Sequence, residues 1–344
     1  MNKSLYDISL KISEDEYRKL PELSYSTLAR FEREGFNNLS HLYDKIESPS
    51  LTFGSAVDAL ITGDDDEFIN KFYIADVIPI SDKLVEITKA IYKECKCDYL
   101  SDVPNEVILN IANNLSYQKN WRDDTRVRVI RENCTEYYRH LVNAGDKQVL
   151  SMDVYRKALN TVKVLKESKS TGFYFAANNP LDNDTERFYQ LKFKAKLYDI
   201  GYKCMMDEVI VSHKDKTIIP IDLKTSFHYE NEFPISFLQW RYMHQARLYY
   251  RILKDNLEKD DYFKDFELLD YRFIVINGDS LKPLVWVFED TKKYGTLEYN
   301  NVKYADPFML GQELNHYLNN KVTQPVYIRE DKPNSIINYI KYKL

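Results

Sequence analysis

Cys204-Met-Met-Asp207-Glu-Val-Ile-Val-Ser-His213, continued by Thr217-Ile-Ile-Pro-Ile-Asp222-Leu-Lys224-Thr-Ser226, is the stretch that decides the fold. Both halves are dense in apolar and β-branched residues, and only His213–Lys216 lies between them. They therefore read as neighbouring antiparallel strands, Lys203–Ser212 and Thr217–Thr225. The run before them, Glu186–Tyr198, sets Phe188, Leu191, Phe193, Ala195 and Leu197 against Lys192, Lys194 and Lys196. It reads as a further strand, joined through the short Asp199–Tyr202 connection. Pro220 cannot donate to a ladder, so its strand should lie at an edge or be locally irregular. Each inner strand also carries one acid among apolar neighbours, Asp207 and Asp222. Burying such a charge is costly unless it is paired or shares a cation.

Outward from this core, Phe233–Asp255 reads as a long helix with Pro234 near its start. A charged loop at 256–265 follows, then strands Glu267–Val275 and Pro283–Phe288, then a helix Lys303–Asn320. Towards the N-terminus, residues 1–20 suggest a short strand and a turn. Leu23–Phe31 begins a helix capped by Ser24 or Ser26, and Leu51–Gly63 forms another, closed by Gly63. Asp64–Glu67 reads as a solvated acidic turn. The chain from 70 to 170 is mainly helical, through 82–95, 106–119 and 151–168, with breaks at Pro79 and Pro104. The arginine-rich Trp121–Arg131 fits either an extended segment or a helix start. Strands and helices in this order make an α/β (α+β) protein. Without a repeat or a low-complexity linker, 1–344 reads as one elaborated domain, with 1–180 mainly helical and 181–344 the strand-bearing core.

Composition narrows the function classes. The net charge is −5 over 344 residues, which argues against a protein that coats nucleic acid and leaves room only for a local basic groove. Glycine is scarce, at 9 residues, and neither a Walker-type loop nor G-x-G-x-x-G occurs. No G-x-S-x-G nucleophile motif is present either. The four cysteines, Cys95, Cys97, Cys134 and Cys204, lack zinc spacing and read as reduced thiols. The start of the chain does not resemble a signal peptide and no 18-residue apolar run occurs, so a cytoplasmic protein without membrane association is expected.

The chemistry converges on the two acids. Asp222 and Lys224 stand at i and i+2 on a strand, hence on one face. An Asp-x-Lys pair is also what an ordinary strand with paired charges looks like, but the apolar surroundings of both acids favour a shared divalent cation. Mg²⁺ is satisfied by one or two carboxylates, a carbonyl such as that of Leu223, and waters. Lys224 beside it could hold or deprotonate an attacking water, with its pKa depressed by burial and the metal. On the helix, Gln245 and Tyr249 share a face. Arg241 extends that face, and Arg247, Arg251 and Lys254 form an adjacent basic stripe suited to phosphates. His244 reads as a packing or phosphate-side residue. Asp58 shares a helix face with Gly54 and Ser55, an arrangement fitting either a carboxylate aimed at a close backbone or a solvated surface acid.

Asp207, Asp222-Leu-Lys224 and Gln245-x-x-x-Tyr249 together resemble the PD-(D/E)XK nuclease superfamily, and the last element resembles its RecB-like branch. Leu23-Ser-x-Ser-x-Leu-x-x-Phe31 and Phe53-Gly-Ser-Ala-Val-Asp58 resemble the front end of phage and prophage exonucleases of the exonuclease VIII (RecE-like) group. The resemblance covers residues 20–62 and 184–255. It implies a restriction-endonuclease-like core, a mixed sheet flanked by helices with a helical N-terminal elaboration. It further implies a Mg²⁺- or Mn²⁺-dependent deoxyribonuclease acting at duplex DNA ends in recombination or repair. In that reading Asp207, Asp222 and the Leu223 carbonyl hold metal, Lys224 is the catalytic lysine, and Gln245 and Tyr249 support it. Asp58 stands where the family has a metal-binding histidine, Glu186 corresponds to an additional acid, and Arg241, His244, Arg247 and Arg251 would face DNA. Implied partners are linear double-stranded DNA, a single-strand annealing protein and further copies in a ring. No cysteine follows Cys204, so the iron–sulfur cluster of some relatives is not expected. The alternatives are a single-strand- or structure-specific deoxyribonuclease and a non-catalytic DNA-binding protein that keeps the fold.

Overall fold

In the computed structural model, residues 2–320 are described, apart from 45, 47, 64, 77–79, 180, 182 and 183. In chain order the elements are α1 (Glu14–Lys19), α2 (Tyr25–Glu34), α3 (Pro49–Ile61), α4 (Asp65–Lys71), β1 (Phe72–Ala75), α5 (Asp82–Cys95), α6 (Asn105–Asn114), α7 (Asp123–Ala144), β2 (Gln148–Ser151) and α8 (Met152–Glu167). Then come β3 (Thr185–Leu197), β4 (Ile200–Ser212), β5 (Thr217–Ser226), α9 (Phe233–Trp240), α10 (Tyr242–Glu258), β6 (Glu267–Leu268), β7 (Arg272–Asn277), β8 (Leu284–Val287), β9 (Leu297–Tyr299), β10 (Val302–Tyr304) and α11 (Pro307–Asn319). The fold is mixed α/β. Packing divides the chain into two compact units, residues 51–162 and residues 1–50 with 163–344.

The larger unit is built on a mixed sheet of order β3-β4-β5-β7-β8, with β6 also beside β5. β3, β4 and β5 run antiparallel, β7 joins β5 in parallel, and β8 closes antiparallel. α10 supplies the apolar layer over the sheet, through Met243, Ala246, Leu248, Ile252 and Leu253. Pro220 lies in the central strand of this sheet rather than at an edge. It is tolerated because β6 pairs with β5 only as far as Ile218, and β7 starts at Ile221. The missing N–H falls in that gap, which is the local irregularity.

The apolar phase of the β3–β4 hairpin shifts at one place. The core takes Phe188 and then Leu191 on β3, and Met206 and then Val209 on β4, three residues apart instead of two. The ladder omits the Gln190–Asp207 position, and Gln190 has a left-handed backbone (φ 52°). A phase break turns consecutive residues out of the regular in–out order, and here it falls on Asp207.

The N-terminal segment forms a short 3-10 turn and the helix α1, not a strand. It is built into the sheet. Leu23 N–H donates to the Gly201 carbonyl (3.0 Å), and Lys203 N–H donates to the Leu23 carbonyl (2.9 Å). Lys203 Nζ, buried, donates to the carbonyls of Tyr17, Arg18 and Leu20 at the end of α1. A cation at a helix C-terminus satisfies carbonyls that have no helical partner.

The smaller unit has its core between α5, α6 and α7, with Ile87, Ile91, Ile108, Ile130 and Tyr138 buried. It also contains a two-stranded parallel pair, β1 with β2, that sequence periodicity did not reveal. Trp121–Arg131 resolves as the start of the helix α7. Its arginines are divided: Arg122 and Arg128 are exposed and paired with Asp124 and Glu132, Arg126 is buried against Asn113 (2.8 Å), and Arg131 donates to the Leu100 and Val103 carbonyls. The acidic run at 64–67 is a helix start instead of a turn (Asp64 lies outside the described residues). Acids in a first helical turn favour the dipole. Pro79 also lies outside the described residues. Among the described residues no helix is long and apolar enough to cross a membrane.

Candidate active site

The site forms where β4 and β5 part. Their ladder ends at the pair Glu208–Ile221, so the next register position would join Asp207 to Asp222. Beyond it β5 stays with β7, and Leu23 takes its place beside β4. The parting gap therefore holds two carboxylates. Asp207 Oδ2 accepts from the Leu223 backbone N–H (3.0 Å), tying the strands where no ladder bond remains.

Asp222 is 1% exposed. The Lys224 ammonium lies 2.6 Å from its Oδ2, and Gln245 Nε2 donates to its Oδ1. Gln245 Oε1 is buried and has no donor among the described residues. Lys224 also sits over the Tyr242 ring, 4.7 Å from its centre. Burial alone would lower the Lys224 pKa. The fields of Asp222, Tyr242, Asp207 and Tyr25 outweigh it and hold the ammonium above the ordinary lysine value. The lysine's nearest partner is a carboxylate, so its pKa lies above the ordinary value where burial by itself would lower it. Glu208, next along β4, is also buried, and burial pushes its carboxyl well above the usual carboxylate range.

The helix divides at the site. Arg241 adopts a left-handed conformation (φ 63°) and separates α9 from α10, where one continuous helix was expected. Glu32 of α2 holds this break by accepting from Arg241 Nε and His244 Nε2, each at 2.8 Å. Restarting the helix at Tyr242 puts Tyr242, Gln245 and Tyr249 at i, i+3 and i+7, one face of α10. Tyr249 is buried, which raises its phenol well above the usual value.

Three contributors were missed in the sequence. Tyr25 donates to the Trp240 carbonyl (2.6 Å) and stands 6.3 Å from the Tyr242 ring and 6.5 Å from that of Tyr249. Burial raises its phenol, which also feels Lys224 and Asp222. Tyr242 carries the lysine, and Glu32 positions the helix break. For Tyr242 the signal was present in its spacing from Gln245 and Tyr249. Tyr25 and Glu32 carry no such mark, because their placement depends on Leu23 joining the sheet.

The structure brings together Asp207, Asp222, Leu223, Lys224 and Gln245, with Tyr249 bordering them through Tyr25. Glu186 is elsewhere. It pairs with Val211, four residues along β4 from Asp207, and bonds His213 Nε2 (2.8 Å). Four residues of strand span about 13 Å, too far to share a cation with Asp207. Asp58 lies on α3. His244 and Arg247 do not face DNA. His244 is fully buried against Glu32, and Arg247, 1% exposed, donates to the Lys293 and Gly295 carbonyls and to Asp306 (2.6 Å). Burial lowers the Arg247 pKa and Asp306 opposes that shift. Arg241 is spent on Glu32 and the Tyr304 ring, and Arg251 donates to the Lys292 carbonyl and Tyr294. Most of the basic stripe therefore binds the chain's own carbonyls and carboxylates.

The donor set can be tested against a metal. Among the described residues no group of three or more His, Cys, Asp or Glu forms a ready cage. Zinc, which takes three or four protein ligands, does not fit this arrangement. Two carboxylates, one nearly buried, suit a hard divalent cation that keeps most of its waters.

No protein-family model matches the chain, and no curated protein sequence matches it. Among solved structures, the chain is similar to a presumed exonuclease of Eubacterium rectale, with 13% identity, 98% of each chain covered and a TM-score of 0.42.

Proposed function

We propose that the chain is a metal-dependent deoxyribonuclease that hydrolyses phosphodiester bonds at the ends of duplex DNA. The observation that carries this reading is the pairing of Asp207 and Asp222 at the point where β4 and β5 part, with Lys224 on one oxygen of Asp222 and Gln245 on the other. Asp207, Asp222 and the Leu223 carbonyl would hold a hydrated Mg²⁺ or Mn²⁺ ion. When bound, such an ion polarises a phosphoryl oxygen and lowers the pKa of bound water.

The chain's own residues account for the rest. Gln245 fixes the Asp222 carboxylate by occupying Oδ1, leaving the other oxygen towards Lys224. The Tyr242 ring holds the Lys224 ammonium by a cation–π contact. Lys224 neutralises Asp222. Beside a carboxylate that would hold the ion, the Lys224 ammonium stands where it could meet a phosphate oxygen or an attacking water. Tyr25 borders this position with a phenol that burial keeps protonated and whose O–H is given to the Trp240 carbonyl, so it packs beside the lysine and holds the end of α9. The isolated stripe on α10 would not supply a duplex-binding surface, so DNA contact has to come from groups around the gap.

The reading is tested with linear duplex, covalently closed circular and single-stranded DNA, in Mg²⁺ and in EDTA. Loss of linear duplex from its ends in Mg²⁺ alone supports it. Cutting of circles makes the chain an endonuclease, and metal-independent binding without cutting makes it a binding protein.

A further inference from the structure

Two residues past Lys224, after Ser226, the chain leaves β5 and makes a turn whose rings stand in water. Phe227 is 76% exposed and Tyr229 63% exposed. Single exposed apolar side chains are ordinary on protein surfaces and usually need no account. This turn differs because buried polar groups hold it. Asn277 Nδ2 donates to the Phe227 and His228 carbonyls (3.0 and 3.3 Å). His228 N–H donates to Ser226 Oγ, and Tyr229 N–H to Glu232. Beneath them Glu230, 4% exposed, accepts from Asn277 N–H, Ser280 Oγ and Lys282 N–H at 2.9, 2.6 and 3.0 Å. Trp286 Nε1 donates to the Glu230 carbonyl (3.2 Å). The sheet thus places a carboxylate and an amide in its interior to fix a turn that displays two bare rings. The ordering cost of the turn's backbone is met before anything binds.

At the end of α9, Trp240 is 43% exposed, with the Arg33 guanidinium 5.1 Å from its ring centre. Its carbonyl is the one held by Tyr25, so Trp240 is tied to the residues around Lys224. Flat exposed rings with a guanidinium stacked on one of them match the pattern by which proteins bind unpaired nucleic acid. Every base offers a π-face, and arginine adds charge for the backbone. Three residues of extended chain separate Lys224 from Phe227, about 10 Å, or roughly three stacked bases.

We infer that Phe227 and Tyr229, together with Trp240, form a stacking platform for unpaired bases of the strand that enters or leaves the site. This rests on the reading of Asp207, Asp222 and Lys224 as a phosphodiester site. It adds that the substrate is bound as a frayed end whose separated bases lie on the rings, and not as a fully paired duplex.

The test is fluorescence of a 12-nucleotide single strand carrying 2-aminopurine, titrated with the full chain in EDTA so that nothing is cut. Stacking is expected to quench the probe, and a blunt duplex of the same sequence should bind more weakly. Phe227→Leu and Tyr229→Leu keep apolar area and lose the flat ring. Each should weaken single-strand binding about tenfold, and Phe227→Trp should retain it. Both positions are exposed, so the variants should fold. Wild-type affinity in the leucine variants overturns the proposal, as does a wild type that does not bind the single strand. A change of oligomeric mass in the leucine variants at unchanged affinity also overturns it, assigning the turn to contact between copies. Quenching by a chain that cuts no DNA would remove the nuclease reading and leave the platform. Cutting with unaffected leucine variants would do the reverse.

Discussion

The strands β4 and β5 and the helix α10 both carry regularly spaced charge, and they use it in opposite ways. On the strands, Asp207, Asp222 and Lys224 meet one another where a ladder has ended. On the helix, the four basic residues expected to meet DNA are largely taken up by the protein. Arg247 closes the loop around Lys293 and Gly295, His244 and Arg241 share Glu32, and Arg251 caps Lys292. A charge beside a sheet opening can turn towards a substrate, whereas a charge on a helix packed under loops finds unsatisfied carbonyls first. Spacing alone does not separate the two cases, because both show regular periodicity.

The comparison can be broken from the strand side first. Lys224→Ala, and separately Asp222→Asn, should each lower cleavage of linear duplex by roughly 10² to 10⁴-fold, the range for removing one acid–base or charge-stabilising group. Single-turnover rates against unchanged circular dichroism would show this. Retention of more than a tenth of the activity would mean that the strand charges are structural too.

From the helix side the expected loss is of stability. Arg247→Ala leaves Asp306 buried and two carbonyls unpaired, which should cost about 3–5 kcal/mol, read by urea unfolding. If it instead left the folded state intact and abolished the salt dependence of DNA binding, the stripe would be a DNA surface after all.

A smaller effect is expected at Glu32. Glu32→Gln keeps one acceptor for Arg241 and His244, so the break between α9 and α10 should persist. The same variant to Ala should let the Tyr242 face drift and reduce cleavage about tenfold, following the sensitivity of catalysis to small displacements. Smallest of all, Arg251→Ala should change stability by less than about 1 kcal/mol, since its contacts are at the surface.

The strand side of the site was legible because one residue in two faces the same way and acids are rare among Ile, Val and Met. Asp207, Asp222, Lys224 and Gln245 follow from that together with one helical face. What was not legible depends on chain crossings. Tyr25 reaches the site only because Leu23 replaces β5 beside β4, a pairing with no local signature. Glu186 has the composition of a ligand and the wrong register, which the strand pattern fixes only when the ladder is known. Pro220 suggested an edge, and the sheet instead places it in a central strand at a break between two neighbours. The fate of the arginines could not be read, because a guanidinium's partners are backbone carbonyls far along the chain.

The most direct measurement is the single-turnover rate of end-labelled linear duplex in Mg²⁺ for wild type and Lys224→Ala, each normalised to its folded fraction. The account predicts end-directed cleavage by wild type and a loss of at least about a hundredfold in the variant. Equal rates, or cleavage that persists in EDTA, would contradict it.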